Sequence, residues 1–137
     1  MKHVHKILLL VGALLIGCSK ITAPPEPQPQ GIYGNWRWTQ SVGGFAGTTI
    51  TPATAGYTMR IVLRTDNFSE FYKNDTLQTI TRFIIRRKKS LFSPDSVDVI
   101  HYEDTTRFIS QIISVVNSDT LALVDLCFDC YGHIYVR

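Results

Sequence analysis

The sequence predicts an all-β domain, an eight-stranded antiparallel up-and-down β-barrel over residues 31–137. From Gly34 onward the apolar residues show no sustained helical spacing, whereas threonine, valine, isoleucine, tyrosine and phenylalanine, which favour strands, are abundant. Clusters of turn-forming residues divide this segment into eight runs, most of them joined by short connections. Successive hairpins give an up-and-down sheet, and eight strands are enough to close it into a barrel.

The predicted strands follow the turn signals along the chain. Alternation is clearest in the second strand, where Met59 and Leu63 fall on one face and Arg60 and Arg64 on the other, which indicates one buried and one solvated face. The long connection at 43–56 is rich in glycine and proline, and we expect it to act as a lid on the barrel. We place the eight strands near residues 34–42, 57–65, 68–73, 77–88, 96–102, 106–116, 120–127 and 132–137.

Residues 1–17 have the composition of a secretory signal peptide, with lysines near the start and then an apolar run. The run is shorter than the roughly 20 apolar residues that a membrane-spanning helix needs. It leads into Leu-Ile-Gly-Cys at residues 15–18, which resembles the processing site of bacterial lipoproteins. This resemblance implies that Cys18 is diacylated and anchors the mature protein to a membrane through its lipid. By the same resemblance, Ser19 implies the outer membrane, with the domain facing the periplasm.

Residues 18–30 predict a tether, because the prolines and polar residues between 24 and 30 cannot build a core and favour an extended chain. The rest, residues 31–137, has the size of one domain. The formal net charge is +3, and losing the two lysines of the signal peptide would lower it to +1. A charge this small predicts no nucleic-acid partner.

At residues 34–36 the chain reads Gly-Asn-Trp, which resembles the Gly-x-Trp motif of the first strand in the lipocalin superfamily. Together with the closing segment 131–137, the pattern is similar to the small lipocalin-like lipoproteins of Bacteroidetes. The resemblance implies a barrel whose base is closed by Gly34 and Trp36. It also implies that Arg137 stacks over the Trp36 ring, a cation–π contact typically contributing about 0.5–2 kcal/mol.

A lipocalin-like barrel predicts that inward-facing aromatic and apolar residues line a pocket for a small molecule. The alternative is that the same side chains fill a solid core, since an eight-stranded barrel is close to the limit between filled and hollow. The candidate ligand-binding residues are Trp38, Tyr57, Met59, Phe71, Phe83, Phe108 and Tyr135.

Cys127 and Cys130 leave three interpretations open. A metal site with His133 would need a fourth ligand, and a redox pair would need thiols of low pKa, typically at a helix N-terminus. A disulfide is favoured, because a turn brings residues three apart within bonding range and the predicted compartment is oxidising. We therefore predict a disulfide and no metal.

Sequence motifs of hydrolases, metalloproteases and nucleotide-binding enzymes are absent from the chain, so we predict neither an enzyme nor a cofactor. The function favoured by the sequence is a membrane-anchored lipocalin-like lipoprotein that binds a small apolar or amphipathic ligand in its barrel. The alternative is a non-catalytic structural or assembly subunit that docks to another cell-envelope protein. It is motivated by the second apolar faces of the predicted strands at 96–102 and 106–116.

Overall fold

The structure, a computed structural model, describes residues 31–90 and 94–137, and the predicted signal peptide, Cys18 and tether lie outside this part of the chain. The described residues form nine strands and one short helix: β1 Gly34–Gly43, β2 Thr48–Ile50, α1 Pro52–Ala55, β3 Met59–Leu63, β4 Phe68–Lys73, β5 Thr76–Lys89, β6 Ser96–Tyr102, β7 Gln111–Val116, β8 Thr120–Asp125 and β9 Tyr131–Val136. Across 31–90 and 94–137, no helix has the length and apolar character needed to cross a membrane.

Eight of these strands form a closed, entirely antiparallel barrel, which confirms the predicted fold class. β1 and then β3 to β9 follow one another around the wall in sequence order. The ring closes where Arg37 to Gly43 of β1 pair with Tyr131 to Val136 of β9, across a register shift between Trp38 and Gln40. Because each strand pairs with the next in sequence, short hairpin connections are sufficient.

The strand outside the barrel, β2, and the helix α1 lie in the connection at 43–56, which the sequence predicted to be a loop. β2 pairs with Ser41–Gly43 of β1, on the edge of β1 opposite to β9. α1 begins after Thr51, which forms a reciprocal capping box with Thr54, and it ends at Gly56 with a φ of 74°. A helix of four residues is too short to show apolar periodicity, and the third helical position carries threonine instead of the usual glutamate or glutamine.

The sixth barrel strand is shorter than predicted: β7 begins at Gln111 and not at residue 106. The preceding residues are held in a local turn by Asp104. Its side-chain Oδ1 accepts hydrogen bonds from the backbone and hydroxyl of Thr106, and its carbonyl oxygen accepts one from the backbone N–H of Phe108. Local bonding of this kind competes with strand pairing and explains why the strand starts late.

Side chains on the inner faces of the strands fill the barrel. Trp36, Ile100, Leu121 and Leu123 are fully buried. An interior packed in this way is the main apolar core of the domain. The buried residues of this core are Ile32, Trp36, Trp38, Ile61, Leu63, Phe83, Ile85, Ile100, Tyr102, Leu121, Leu123 and Tyr135.

The lower end of the barrel, where β1 begins and β9 ends, is closed around Trp36. The Arg137 guanidinium lies 4.2 Å from the centroid of the Trp36 ring, where the resemblance had placed it. Arg137 also donates to the carbonyl oxygen of Tyr33, and the Trp36 indole donates to that of Ile32. Gly34 leaves room for this contact, because a Cβ there would lie 3.4 Å from Nη2 of Arg137 and the φ of 146° disfavours other residues.

Candidate functional site

Polar side chains line the inner wall of the barrel at the upper end, where β1 and β8 end and β7 and β9 begin. Asp125 shares a strand face with the fully buried Leu121 and Leu123, so its side chain points inward. Gln111 pairs with Asp125 across the strands and His133 pairs with Leu123, so both lie on the same wall. Ser41 joins them through its hydrogen bond to His133. We call this set the polar arc; it consists of Ser41, His133, Asp125 and Gln111.

One branch of the polar arc runs from the core to the carboxylate of Asp125. The Trp38 indole N–H donates to Oγ of Ser41 at 2.8 Å, and this Oγ lies 2.7 Å from Nδ1 of His133. Nε2 of His133 lies 3.2 Å from Oδ2 of Asp125. Because the indole can only donate, Ser41 accepts there and is free to donate to His133.

The second branch reaches Asp125 from the other side. Nε2 of Gln111 donates to Oδ1 of Asp125 at 2.8 Å, and the Tyr102 hydroxyl donates to Oε1 of Gln111 at 3.0 Å. Burial raises the pKa of Asp125, but hydrogen bonds from His133 and Gln111 outweigh it, and the pKa is lowered below its ordinary value. The carboxylate is therefore ionised at neutral pH.

A hydroxyl, an imidazole and a carboxylate in line are also the groups that acyl-transfer enzymes use. Here the Ser41 hydroxyl is buried, with 4% of the residue exposed, and it accepts a hydrogen bond from Trp38. A nucleophile needs access to substrate, which a buried hydroxyl lacks in this conformation. The arrangement therefore fits a structural hydrogen-bond chain.

Aromatic rings occupy the opposite side of the same upper end. Trp38 stacks with Tyr57 at a centroid distance of 6.0 Å, and Phe71 stacks with Phe108 at 4.1 Å. Tyr102 lies 5.2 Å from Phe108 and 5.5 Å from Phe71. We call these five residues the aromatic cluster. It is joined to the polar arc by two hydrogen bonds, from Trp38 to Ser41 and from Tyr102 to Gln111. The upper interior therefore has one polar and one aromatic side.

The ring of Phe108 is inserted from the irregular segment 103–110, which connects β6 to β7. These two strands pair through only two residues each, Val99 and Ile100 with Ile112 and Gln111. The segment therefore covers a wall that has little strand pairing. Phe108 is half-buried, whereas its neighbour Ile109 is 51% exposed.

The structure brings most of the predicted ligand-binding residues together at this end. Trp38, Tyr57, Phe71 and Phe108 form the aromatic cluster, and Met59 packs against the core beside them. The other two, Phe83 and Tyr135, belong to the buried core of the barrel.

Ser41, Gln111 and Asp125 were not among the predicted site residues. The signal that could have revealed Asp125 is the alternation Leu121, Leu123, Asp125, which places a carboxylate on an inward face at a strand end. Ser41 was hidden by the register shift after Trp38, which changes the parity of β1.

Cys127 and Cys130 form a disulfide in the connection between β8 and β9, with their Cα atoms 5.7 Å apart. His133 bonds to Ser41 and Asp125 and not to the cysteines. In the two described ranges, no three histidine, cysteine or acidic residues are grouped closely enough to hold a metal ion. Of the three interpretations of the cysteines, the structure shows the disulfide.

We expect His101, on the outer wall, to make the barrel less stable in mild acid. Its Nδ1 is hydrogen-bonded with Oγ of Ser110, while its Nε2 is buried without a partner. Burial of the imidazole lowers its pKa, and the positive charges of Lys88 and Arg86 lower it further. The unfolded chain then binds more protons, so stability falls as pH drops below about 6.5 toward the folded pKa. Urea unfolding at pH 7.5 and 5.0 checks this. His101→Gln should reduce the difference between the two pH values, and an unchanged difference would contradict the assignment.

Comparison of the chain with protein-family models, with curated proteins and with solved structures gave no match in any of the three.

Proposed function

We propose that this protein is a lipocalin-like lipoprotein, anchored in the outer membrane through Cys18 and facing the periplasm, that binds a small apolar or amphipathic molecule at the upper end of its barrel. The anchor is supported by the Leu-Ile-Gly-Cys sequence at residues 15–18 and by Ser19. The proline-rich tether at 18–30 would hold the barrel away from the membrane surface.

The observation that carries the binding proposal is the division of the upper interior into a polar arc and an aromatic cluster. Small-molecule sites combine apolar and aromatic walls with a few well-placed polar groups. The polar arc presents the ionised Asp125, while Tyr57, Phe71 and Phe108 offer ring faces that are only half-buried. An amphipathic molecule matches both sides at once.

Phe108 occupies the space that a ligand would take. Its ring stacks on Phe71 as the aromatic part of a ligand would, and it comes from a segment whose turn is formed by internal hydrogen bonds to Asp104. The backbone of this segment bonds to neighbouring strands near its two ends, from Glu103 N–H to the carbonyl of Arg82 and from Leu126 N–H to the carbonyl of Ser110. Swinging this segment outward breaks few backbone hydrogen bonds and exposes Phe71 and Tyr102. The segment 103–110 is therefore a lid of the proposed site, while a lid at 43–56 stays a prediction from the sequence.

We expect Phe108→Ala to bind ligands more tightly than the unmodified protein, because a ligand no longer has to displace the ring. Binding is measured by tryptophan fluorescence with a panel of lipids, haem and bile acids, since Trp38 lies in the cluster. The matched control is Ile109→Ala, which truncates the exposed neighbour and should leave affinity unchanged. A panel that changes the fluorescence of neither the unmodified protein nor Phe108→Ala would refute ligand binding at this end.

A second candidate function, docking to another envelope protein, is favoured by the outer wall. Cross-strand pairing aligns Val99, Ile112, Val124 and Val42 in one row, with Gly132 between the last two. Val42 and Val124 are exposed there. Ile112 beside them is half-buried and Val99 is buried, so the exposed apolar part of the row is centred on Val42 and Val124. Contiguous exposed apolar surface marks interaction sites more often than single apolar side chains do. Crosslinking in intact cells from position 124, with position 65 in the exposed polar turn 64–67 as control, would distinguish a docking role from a row without a partner.

A further inference from the structure

The carboxylate of Asp125 is held by hydrogen bonds from two side chains, His133 and Gln111. Trp38 donates to Ser41, Ser41 can donate to Nδ1 of His133, and Nε2–H of His133 can then donate to Asp125. This sequence of donors is complete with an uncharged imidazole. From the other branch, the Gln111 amide donates to Asp125 and is itself neutral.

The charge of Asp125 is not paired with a permanently charged side chain. In the described part of the chain, neither a lysine nor an arginine lies within ion-pairing distance of this carboxylate; the group that does is His133. A partly buried charge that is hydrogen-bonded but not neutralised attracts an ion of opposite sign more strongly than an exposed one does. The hydrogen bonds also fix the carboxylate in one orientation, so a ligand does not have to order it.

The aromatic cluster, on the wall that faces Asp125, also favours a positively charged group. The faces of aromatic rings carry negative potential and attract cations. The structure shows one example at the rim, where Nζ of Lys73 lies 4.2 Å from the centroid of the Tyr57 ring. Lys73 pairs with Met59 on β3, so it belongs to the inward-facing row at the upper edge of the barrel. Both walls of the upper interior therefore favour a positively charged group over a negative one.

We propose that the ligand of the upper interior is an organic ammonium ion, a molecule with an apolar ring or chain and a protonated amine. The amine pairs with Asp125, and the apolar part replaces Phe108 against Phe71 and Tyr102. This inference rests on the proposed binding function and names the chemical class that the site selects.

The test compares three probes that share one ring and differ in charge: 2-naphthylmethylammonium, 2-naphthylmethanol and 2-naphthoate. Each is titrated by calorimetry into the full-length protein in a non-ionic detergent, with a protein-free titration subtracted. We expect the ammonium probe to bind about tenfold or more tightly than the alcohol, and the carboxylate probe to bind most weakly. Equal affinity of the three would overturn the inference and leave ligand binding intact, whereas absence of binding by all three would count against both.

Three single-residue variants test whether Asp125 causes the preference for the ammonium probe. Asp125→Asn should remove the preference for the ammonium probe while the alcohol still binds, which also shows that the variant is folded. Lys73→Met should strengthen binding of the ammonium probe, because it removes a like charge from the rim. The matched control is Asp129→Asn, which removes an exposed acid from the nearby disulfide loop at a positive φ that asparagine tolerates. An equal loss of preference in Asp129→Asn would show that the effect is general charge attraction and overturn the assignment to Asp125.

Discussion

Replacing Trp36 with alanine should destabilise the barrel by about 3–5 kcal/mol, the range for truncating a large buried aromatic side chain. Trp36 is completely buried at the lower end and packs within the core cluster. Its loss would also leave the carbonyl oxygen of Ile32 without its indole donor and Arg137 without its ring. Since small domains are stable by only about 5–15 kcal/mol, this loss is a large share of the total free energy of unfolding. Urea titration followed by circular dichroism measures the change.

The matched control is Arg137→Met, which keeps an apolar stem over the ring and removes the guanidinium. It should cost about 0.5–2 kcal/mol, the range for a cation–π contact. If Arg137→Met were as damaging as Trp36→Ala, the lower end would depend on the cation and its hydrogen bonds, and the argument from burial would be wrong.

The barrel could be predicted because its signals are local and repeated. Alternation in β3, for example, needs only Met59, Ile61 and Leu63 on one face, and turn residues such as Asn67 and Asn74 mark the hairpins. Both asparagines adopt a positive φ, at 65° and 47°. Hairpin order then fixes the sheet, because each strand pairs with the next one along the chain. Closure needed no further information once eight strands were in place.

What the sequence did not reveal depends on contacts between distant residues. Ser41 and His133 are 92 residues apart, and they meet only because β1 pairs with β9. The register shift in β1 then decides that Ser41 faces inward, and no spacing in the sequence predicts that shift. The sequence predicted that the aromatic residues face inward, but it did not predict that they lie on one side of the upper interior and the polar arc on the other.

The conformation of segment 103–110 also depends on contacts that the local sequence does not predict. Thr106 to Ser110 continue into a run of apolar residues, so they are typical of a strand when taken alone. Asp104 competes for the backbone, and Phe108 gains a place on Phe71 inside the barrel. The conformation of segment 103–110 is therefore determined by tertiary packing and not by local strand propensity.

Gly43→Ala should disrupt the seam that closes the barrel beside this site. A Cβ at position 43 would lie 2.2 Å from the carbonyl oxygen of Cys130 and 2.7 Å from Cα of Tyr131. Both are backbone atoms, so no side-chain rotation relieves the overlap, and the pairing of Gly43 with Tyr131 has to shift. Overpacking of this kind costs about 1–3 kcal/mol, or more when the backbone cannot move. Urea unfolding measures the loss of stability.

A matched glycine lies one position away on the partner strand. In Gly132→Ala the new Cβ would meet Cγ2 of Val124 at 3.7 Å, an ordinary contact, so we expect a change within about 1 kcal/mol. The Ser41 to His133 bond belongs to the same seam, two pairs along from Gly43. Gly43→Ala should therefore also weaken binding of the ammonium probe, while Gly132→Ala should not. Equal stability of the two variants would mean that the seam has room to move and would contradict the expected overlap at Gly43.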